Sequence, residues 1–472
     1  MAKMETPSAV LPVVEALPTS VSSVDVYRKL AHLPHVVFLD SASQAGLLGR
    51  YSFVAADPFQ WIVCSVAGHD ALGDLEKAQQ PFVAAPRADL PPFQGGAAGL
   101  LGYELAQSLE KIPAAKIDDL TTPTLAVGLY DVVVAFDHQQ QRAWIISQGF
   151  PETTHTARRH RAQARLSQMR AWLAGDPTSP RPGAKNRKPL TELARQYDIG
   201  LKRVTSNLSA RAYQESIDRA VEYIHAGDIF QVNLAQRLLC PARSNSCELY
   251  LKLRESNPAP YAGFFDTGDW QICSTSPECF LTLRNGQVET RPIKGTRGRL
   301  DSAEADLFAG DELQLSEKDR AENVMIVDLL RNDLSRVCTP ESIHVAELCQ
   351  LEDYAFVKHL VSIVRGQLRR SASPFDLLRA CFPGGSITGA PKIRAMEIIA
   401  ELEPTTRGAY CGSLGYIGFD GQMDTSILIR TVTAGRGWWQ MPVGGGIVAQ
   451  SLPGDEYQET WHKARGMLKA LD

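Results

Sequence analysis

Two short segments of the chain carry side chains that could together form a covalent catalyst. Residues 292–296, PIKGT, place Lys294 among apolar residues and glycine, sixteen residues after Glu278, which ends the tripeptide SPE. A lysine amine can act as a nucleophile, and a carboxylic acid can protonate a leaving group. Because a free lysine has a pKa of about 10.4, we expect burial and cationic neighbours such as Arg291 to lower the pKa of Lys294.

The last predicted helix, over residues 455–471, supplies further charged groups. The face beside its apolar stripe carries three of them: Glu456, Glu459 and Lys463. A second predicted helix, over residues 317–336, brings Glu322. The set is either a surface ladder of ion pairs or, if Glu322 and Glu459 converge, a site of hard oxygens suited to Mg²⁺, waters and an acidic substrate. Spacing leaves both interpretations open.

Two glycine-rich segments could bind an anion. Residues 442–447, PVGGGI, offer successive backbone N–H groups, although a bend or bulge in a strand explains the triple glycine equally well. Residues 383–392, PGGSITGAPK, open a predicted helix with Pro391 as its first residue, and a helix start suits an anion. The spacing before Lys392 is not that of a Walker loop, which disfavours nucleoside triphosphates.

The elements that must position these residues are mainly strands. Residues 25–148 alternate short β-rich runs with glycine turns, and an Asp-Gly turn at 420–421 predicts a hairpin. Apolar residues at helical spacing predict a helix over residues 210–225, with Gly227 as its stop. We therefore expect an α+β fold, a two-lobed sandwich of large, mostly antiparallel sheets with helices packed outside. The expected parts are an N-terminal lobe over 1–150, a basic helix and linker over 151–204, and a catalytic part over 205–472.

Two predicted strands aim polar side chains at one region. Alternation in residues 230–238 turns Gln231 and Asn233 away from the apolar face, which makes that second face a candidate pocket wall. After the hairpin, Arg430 shares a predicted strand face with Leu428 and Val432, so a charged group is inserted among apolar ones.

Composition narrows the classes of function. The chain has 472 residues, 44% of them hydrophobic, and a net charge of −4, which gives no drive toward nucleic acid or anionic membranes. We interpret the arginines within 158–165 as a solvated helix face. Nine cysteines without C-x-x-C spacing argue against a disulfide framework and a cysteine zinc site. The sequence shows no signal peptide or transmembrane span, so we expect a cytoplasmic protein.

Six segments, in order along residues 205–472, are similar to the chorismate-utilising enzymes. They read SPE, RPIKGTRGR, EKDRAENVMIVDLLRND, PGGSITGAPK, MDTSILIRT, and GGGIV followed by EYQET. The N-terminal strings FLDSAS and GRYSFVAADP resemble more loosely a tryptophan-binding segment of anthranilate synthases. The resemblance implies the fold of that family and chorismate as the substrate.

The resemblance also implies roles for single residues. Lys294 attacks C2 of chorismate, Glu278 protonates the departing C4 hydroxyl, and His359 matches a further catalytic position. Mg²⁺, which binds the ring carboxylate, is expected on Glu322 and Glu459 with Glu456 beside them. The substrate-binding positions are Gln231, Thr388, Tyr416, Arg430, Gly444, Gly445, Gly446 and Lys463, of which Arg430 and Tyr416 take the enolpyruvyl carboxylate. The tryptophan-pocket positions are Ser41, Tyr51, Pro260 and Tyr261.

Lys294 separates the branches of this family. Anthranilate synthases resemble this chain but carry alanine where Lys294 stands, and isochorismate and salicylate synthases place a lysine base where Gln231 stands. The resemblance implies a transferase of the transaminase type that aminates C4 to give 4-amino-4-deoxychorismate, for 4-aminobenzoate and folate biosynthesis. Since the chain lacks a nucleophilic cysteine with a downstream His-Glu pair, we expect ammonia from a separate glutamine amidotransferase subunit.

Two alternatives remain open at this point. One is an anthranilate synthase component I, favoured by the tryptophan-pocket-like N-terminal segment and by residues 257–261, NPAPY. A structurally bound tryptophan is nevertheless compatible with the C4 branch, and Asp40 departs from the glutamate of feedback-inhibited relatives. The other alternative is a noncatalytic sensor of tryptophan or chorismate, which the acids and the lysine named above disfavour.

Overall fold

Two antiparallel sheets form the framework of the computed structural model, which describes residues 11–43, 48–66, 68–176, 187–299, 302–353 and 357–471. The first sheet has 13 strands and the second has 10. The predicted α+β class with large antiparallel sheets is therefore confirmed. None of the helices in the described part of the chain is both long and apolar enough to cross a membrane.

The helices and strands are numbered along the chain. The α-helices are α1 (Ser23–Leu30), α2 (Ala71–Gln79), α3 (Ala106–Leu109), α4 (His155–Ala174), α5 (Ala210–His225), α6 (Ser246–Ser256), α7 (Ala303–Leu315), α8 (Glu317–Ser335), α9 (Pro374–Cys381), α10 (Lys392–Leu402) and α11 (Pro453–Lys469). The first twelve strands are β1 (Val13–Leu17), β2 (Val37–Asp40), β3 (Tyr51–Ala55), β4 (Gln60–Cys64), β5 (Gly96–Leu101), β6 (Leu125–Tyr130), β7 (Val132–Asp137), β8 (Arg142–Ser147), β9 (Tyr197–Asp198), β10 (Thr205–Ser206), β11 (Gln231–Pro241) and β12 (Tyr261–Asp266). The others are β13 (Trp270–Ser276), β14 (Cys279–Arg284), β15 (Gln287–Arg291), β16 (Ile293–Gly298), β17 (His344–Asp353), β18 (Val357–Gln367), β19 (Gly389–Ala390), β20 (Ser413–Gly418), β21 (Met423–Ile427), β22 (Thr431–Gly435) and β23 (Trp438–Ile447).

Both sheets combine strands from the two halves of the chain. The first sheet runs β1-β8-β7-β3-β2-β12-β13-β22-β23-β11-β10-β9, with β19 also on β11. The second runs β16-β18-β15-β14-β21-β20-β5-β6-β4, with β17 also on β18. Because β2 pairs with β12 and β5 pairs with β20, residues 1–150 and 205–472 share each sheet instead of forming one sheet apiece.

The sheets enclose one apolar layer and are covered by helices on their outer faces. Phe53 and Phe265 from the first sheet pack with Leu100 and Tyr416 from the second in this central layer. Outside the first sheet lie α1, α4, α6 and α11, and outside the second lie α2, α8 and α9. Helices α5 and α10 pack against β11. The site-bearing strands are thus supported on both faces.

Local sequence signals account for the elements that carry the site. Helix α5 has the predicted bounds, and the Ser209 hydroxyl caps it by accepting a hydrogen bond from Ala212 N at 3.1 Å. Helix α8 begins in the same way at Ser316, within one residue of its predicted end points. The hairpin predicted around residues 420–421 is confirmed as β20–β21.

The arginines of α4 are not a solvated helix face, and that expectation was wrong for two of them. Arg158 and Arg165 are only 6% and 8% exposed. Arg158 Nε donates to the carbonyl oxygen of Gln148 at 2.8 Å. Arg165 forms ion pairs with Asp57 at 2.8 Å and with Asp131 at 3.2 Å. These side chains fasten α4 to the first sheet, because the segments that adjoin its strands supply acceptors opposite the helix, of which Gln148 and Asp131 are buried.

We expect Arg165→Ala to destabilise the protein strongly. Among the described residues, the substitution leaves the fully buried Asp131 with Arg161 as its one cationic neighbour, at 3.6 Å. Breaking a buried ion pair of this kind costs about 3 kcal/mol. Guanidinium unfolding measures the change, and Arg159→Ala on the exposed face of the same helix is the control. A loss equal to that of the control would contradict the expectation.

Candidate active site

The candidate site lies where the chain passes from one sheet to the other. Strand β13 of the first sheet leads through Glu278 into β14 of the second, and β21 of the second leads through Arg430 into β22 of the first. Ile427 N donates to the Glu278 carbonyl oxygen at 3.0 Å, and Thr275 N donates to the Arg430 carbonyl oxygen at 3.1 Å. The two crossings are therefore held side by side.

Arg430 occupies the second crossing in a left-handed conformation with φ of 49°. The expectation that it shares a strand face with Leu428 and Val432 was wrong, because β21 ends at Ile427 and β22 begins at Thr431. Burial lowers the pKa of Arg430, which Glu278 opposes. Among the described residues, Glu278 is the charged neighbour of this guanidinium and does not form an ion pair with it, so Arg430 is available to a carboxylate ligand.

Glu278 is a buried acid, with 3% of its surface exposed. Burial raises its pKa, while the Ser386 hydroxyl, the Lys294 amine and Arg430 act in the opposite direction. A carboxyl group with a raised pKa keeps its proton closer to neutral pH. Glu278 is thus suited to protonate a leaving group.

Lys294 lies on β16, and its Nζ donates to the carbonyl oxygen of Ser386 at 2.9 Å. Burial lowers the pKa of Lys294, although Glu322 and Glu278 oppose the shift. Arg291 does not play its expected part, because it forms ion pairs with Glu352 at 2.5 Å and Glu289 at 3.5 Å. The lowered pKa of this amine rests mainly on desolvation.

Ser386 joins the acid and the amine, and sequence reasoning missed it. Its hydroxyl hydrogen-bonds Glu278, and its carbonyl oxygen accepts from Lys294 and, at 3.2 Å, from Asn233 Nδ2. A serine inside a glycine turn carries no spacing signal. Only the resemblance of the whole PGGSITGAPK segment to a family motif could have drawn attention to it.

Three other residues of this segment have structural roles. The Thr388 hydroxyl donates to the Gly384 carbonyl oxygen at 3.0 Å, so it closes the turn that presents Ser386. Pro391 caps α10 and stands one residue before its first turn. Lys392 forms an ion pair with Asp333 at 2.6 Å, so its charge is compensated.

The triple glycine lies inside strand β23, where it pairs with β11, and not in a loop. A Cβ atom on Gly445 would lie 3.3 Å from Glu459 Oε1 and 3.4 Å from Glu456 Oε2, and one on Gly446 would lie 2.2 Å from Gln231 Nε2. A Cβ on Gly444 would lie 2.2 Å from a backbone oxygen of β11. The glycines therefore make room for side chains that meet above the strand.

Helix α11 brings its predicted face to this strand. Lys463 Nζ pairs with Glu459 at 2.7 Å and donates to the Gly444 carbonyl oxygen at 2.9 Å. Glu456 accepts from the Ser451 hydroxyl at 2.6 Å and lies 3.7 Å from Lys318 of α8, a residue that the sequence reasoning did not select.

The carboxylates predicted for Mg²⁺ come from two helices that face each other. Burial raises the pKa of Glu322, and Glu459 adds to the shift, which shows the two groups to be electrostatic neighbours. Burial also raises the pKa of Glu456, whose Oε2 atom has no hydrogen-bond partner within the described residues. Among those residues, no three or more His, Cys, Asp or Glu side chains are arranged to hold a metal ion. Mg²⁺, however, commonly uses only one or two carboxylates together with waters and substrate. The carboxylate oxygens of Glu322, Glu456 and Glu459 are of a type that suits this ion.

Gln231 begins β11 on the predicted pocket wall and is fully buried. Neither atom of its side-chain amide has a hydrogen-bond partner in the described part of the chain. Buried polar atoms are rarely left unpaired. The amide beside Gly446 is therefore placed to meet a polar ligand.

His359 lies on strand β18. It is 1% exposed and its imidazole bonds the backbone of Gly295. Burial, with a contribution from Arg430, lowers its pKa to about 3. His359 is consequently neutral at physiological pH and orients the segment that carries Lys294.

Besides the candidate active site there is a second cavity, of about 480 Å³, which lies between β2, β3, β12 and β20. All four tryptophan-pocket positions line it: Ser41, Tyr51, Pro260 and Tyr261.

Tyr416 also lines the second cavity and stacks on Phe93 at 4.4 Å. Its assignment beside Arg430 was wrong, because the alternation of β20 turns its ring toward the layer between the sheets. Asp40, at the edge of this cavity, is held by Arg254 at 2.6 Å.

Comparison with known proteins agrees with this geometry. Residues 51–469 match the chorismate binding enzyme family. The chain is 41% identical to aminodeoxychorismate synthase component 1 of Salmonella typhimurium, over 98% of each chain. It is 39% identical to anthranilate synthase component 1 of Thermus thermophilus, over 95% of each chain. The crystal structure of anthranilate synthase component I from Streptococcus pneumoniae TIGR4 superposes with a TM-score of 0.74 at 31% identity, covering 89% of this chain and 92% of that one. By sequence and by fold, the chain belongs to the family of chorismate binding enzymes.

Proposed function

We propose that this chain aminates chorismate at C4 with ammonia, giving 4-amino-4-deoxychorismate. The observation that carries the proposal is the buried pair of Lys294 and Glu278, which meet on opposite sides of Ser386. An amine with a lowered pKa beside an acid with a raised pKa suits nucleophilic attack coupled to departure of a hydroxyl group. Relatives that carry the name aminodeoxychorismate synthase component 1 support the same assignment.

The proposed reaction has two displacements on one conjugated diene ring. The neutral Lys294 amine forms a bond to C2, both double bonds of the ring shift by one position, and the C4 oxygen leaves as water with the proton of Glu278. Ammonia then attacks C4, both double bonds shift back, and the bond from Lys294 to C2 breaks. The carboxylate of Glu278 takes up one of the protons released from the nitrogens, so the acid is regenerated.

Other residues of the site would hold the substrate in place. The guanidinium of Arg430, which forms no ion pair within the described part of the chain, suits the enolpyruvyl carboxylate. Glu322 and Glu459, with Glu456, would hold Mg²⁺, which when bound neutralises the ring carboxylate. Gln231 supplies an amide where water-activating relatives carry a lysine base, so this chain lacks that group for attack by water.

A product assay tests the proposal. We expect purified protein with chorismate, Mg²⁺ and an ammonium salt to form a C4-aminated product that keeps its enolpyruvyl group. Glutamine should not replace the ammonium salt unless an amidotransferase subunit is added. We propose that this partner subunit releases ammonia from glutamine and supplies it to the present chain. Formation of anthranilate and pyruvate would establish the anthranilate synthase alternative, and no turnover would favour a sensor.

We also propose that the second cavity binds tryptophan. The Tyr416 hydroxyl and Asp424 Oδ1 are buried there without hydrogen-bond partners among the described residues. Burial raises the pKa of Asp424 to about 6, against the effect of Arg284. A carboxylate in this position is suited to the ammonium group of an amino acid.

Tryptophan binding should therefore weaken as the pH falls through about 6. Above that value Asp424 is ionised and attracts the ammonium group, whereas below it the carboxyl is neutral. Calorimetric titration between pH 5 and pH 8 measures this effect, with indole-3-propionate as the control ligand that lacks the amino group. Equal pH dependence for the two ligands, or unchanged tryptophan affinity in Asp424→Asn, would contradict the assignment.

A further inference from the structure

Strand β11 carries Gln231 and Asn233 into the site, but part of one of its edges has no strand beside it. On one side, β23 pairs with β11 from residue 232 to residue 241. On the other side, β19 pairs only with residues 231–232 and β10 only with 238–239. Within the described residues, the backbone between these two short strands must find other partners.

A buried ion pair fills this gap. Arg407 Nη2 donates to the Asn233 carbonyl oxygen at 2.8 Å, and Glu403 Oε1 accepts from Ala235 N at 2.9 Å. The two side chains are joined by Nη2 to Oε1 at 2.6 Å and by Nε to Oε2 at 2.9 Å. Arg407 and Glu403 are 4% and 6% exposed. Together they satisfy the donor and the acceptor that a neighbouring strand would otherwise satisfy.

The same guanidinium reaches the catalytic loop. Arg407 Nη1 donates to the Ile387 carbonyl oxygen at 3.1 Å, and Ile387 stands between Ser386 and Thr388. The ring of Tyr103 packs against the guanidinium at 4.7 Å. One side chain thus binds the strand that carries Gln231 and the loop that carries Ser386.

The turn that bears Arg407 is itself anchored. The two carboxylate oxygens of Glu104 accept hydrogen bonds from Arg407 N at 2.7 Å and from Gly408 N at 3.0 Å. The backbone of this turn is therefore fixed to the short helical segment before α3. Because this backbone is fixed, the Arg407 guanidinium has little freedom to follow movements of the loop that bears Ser386.

Strand β11 and the loop bearing Ser386 also contact each other directly, since Asn233 N donates to the Thr388 carbonyl oxygen at 2.8 Å and Asn233 Nδ2 donates to that of Ser386 at 3.2 Å. We propose that Glu403 and Arg407 are positioning residues that hold β11 and the loop at the distance these contacts require. The inference rests on the proposed function, because Ser386 matters through Lys294 and Glu278. It requires the planar fork of arginine, which donates to three acceptors at once. A lysine keeps the charge but has a single nitrogen, so it cannot hold both carbonyl oxygens and Glu403.

The decisive variant is Arg407→Lys. We expect kcat for C4 amination to fall about 100-fold, because a shift of about 1 Å in the loop misplaces the amine and the acid. KM for chorismate should change by less than about threefold, since Arg430 and the carboxylates of α8 and α11 lie on other elements.

Arg237→Lys is the matched control. Arg237 lies on the same strand, is 3% exposed and forms a buried ion pair with Asp119 at 2.6 Å. Arg237 contacts neither the loop that bears Ser386 nor Glu278. Both variants should lower the melting temperature to a similar extent, but only Arg407→Lys should lower kcat. Equal losses of kcat in the two variants, or a kcat for Arg407→Lys within threefold of wild type, would overturn the proposal.

A second measurement separates this proposal from the proposed function. In Glu403→Ala, the Ala235 amide loses its acceptor, so we expect its hydrogen exchange to accelerate at least about tenfold relative to the amides of residues 238–239. If wild-type protein fails to aminate C4 and the exchange of the Ala235 amide still rises in Glu403→Ala, the proposed function is wrong but the contact of Glu403 with β11 is confirmed. If this exchange does not rise, the contact of Glu403 with β11 is wrong, whatever reaction the protein catalyses.

Discussion

Replacing Lys294 by alanine will lower C4 amination of chorismate by at least about 1,000-fold, because the alanine side chain has no amine to form the bond to C2. The Lys294 Nζ atom is fixed by the Ser386 carbonyl oxygen at 2.9 Å, and burial keeps its pKa below the ordinary lysine value. The reaction needs the neutral amine. Wild-type activity should accordingly rise as the pH rises through that lowered pKa.

Intact-protein mass spectrometry of quenched reactions provides the direct test. Wild-type protein should show a covalent ring adduct that peptide mapping assigns to Lys294, and Lys294→Ala should show none. Lys294→Arg is the control for charge, since it keeps a cation in place without a useful nucleophile. Undiminished amination by the alanine variant would exclude the covalent route, whatever the mass spectra show.

Replacing Glu278 by glutamine will lower kcat by about 1,000-fold, within the range expected for loss of a general acid. Glutamine keeps the volume of the side chain and can still meet the Ser386 hydroxyl, but it has no acidic proton to give. Because burial raises the pKa of Glu278, the wild-type rate should fall as the pH rises through that value and the acid ionises. The variant should lack this fall.

The pH profile of kcat, measured with saturating chorismate, checks this expectation. Glu76→Gln is a suitable control, because Glu76 lies on α2 and pairs with Arg379 at 2.8 Å, away from the site. If Glu278→Gln retained the wild-type fall at high pH, another group would have to be the acid. The role of Glu278 would then reduce to shaping the pocket.

Short-range patterns predicted the elements well where one sheet or one helix determined them. The bounds of α5 and the hairpin between β20 and β21 are as expected, and so is the polar face of Gln231 and Asn233. The pattern failed at Arg430, because alternation was read through a point where the chain changes sheets. A single sequence does not show where one strand ends and another sheet begins.

The site was predicted in its residues more completely than in its contacts. Motif resemblance supplied Lys294 and Glu278, but the joining residue Ser386 lies 92 residues from the amine in sequence. No local period reports a contact of that range. The same is true of Glu403 and Arg407, whose (i, i+4) spacing also fits a surface ion pair and gives no sign that they serve as neighbours of β11.

The sharing of both sheets between the two ends of the chain has a consequence for how the protein is made. Strand β2 pairs with β12, and β5 pairs with β20. Neither sheet can therefore complete its strand pairing while only the N-terminal third of the chain has left the ribosome. Pairings of such long sequence separation form slowly. A fragment cut at residue 205 would expose unpaired edges in both sheets, and such edges recruit other chains into aggregates. From the order of the strands we therefore expect either half of the chain, expressed alone, to aggregate.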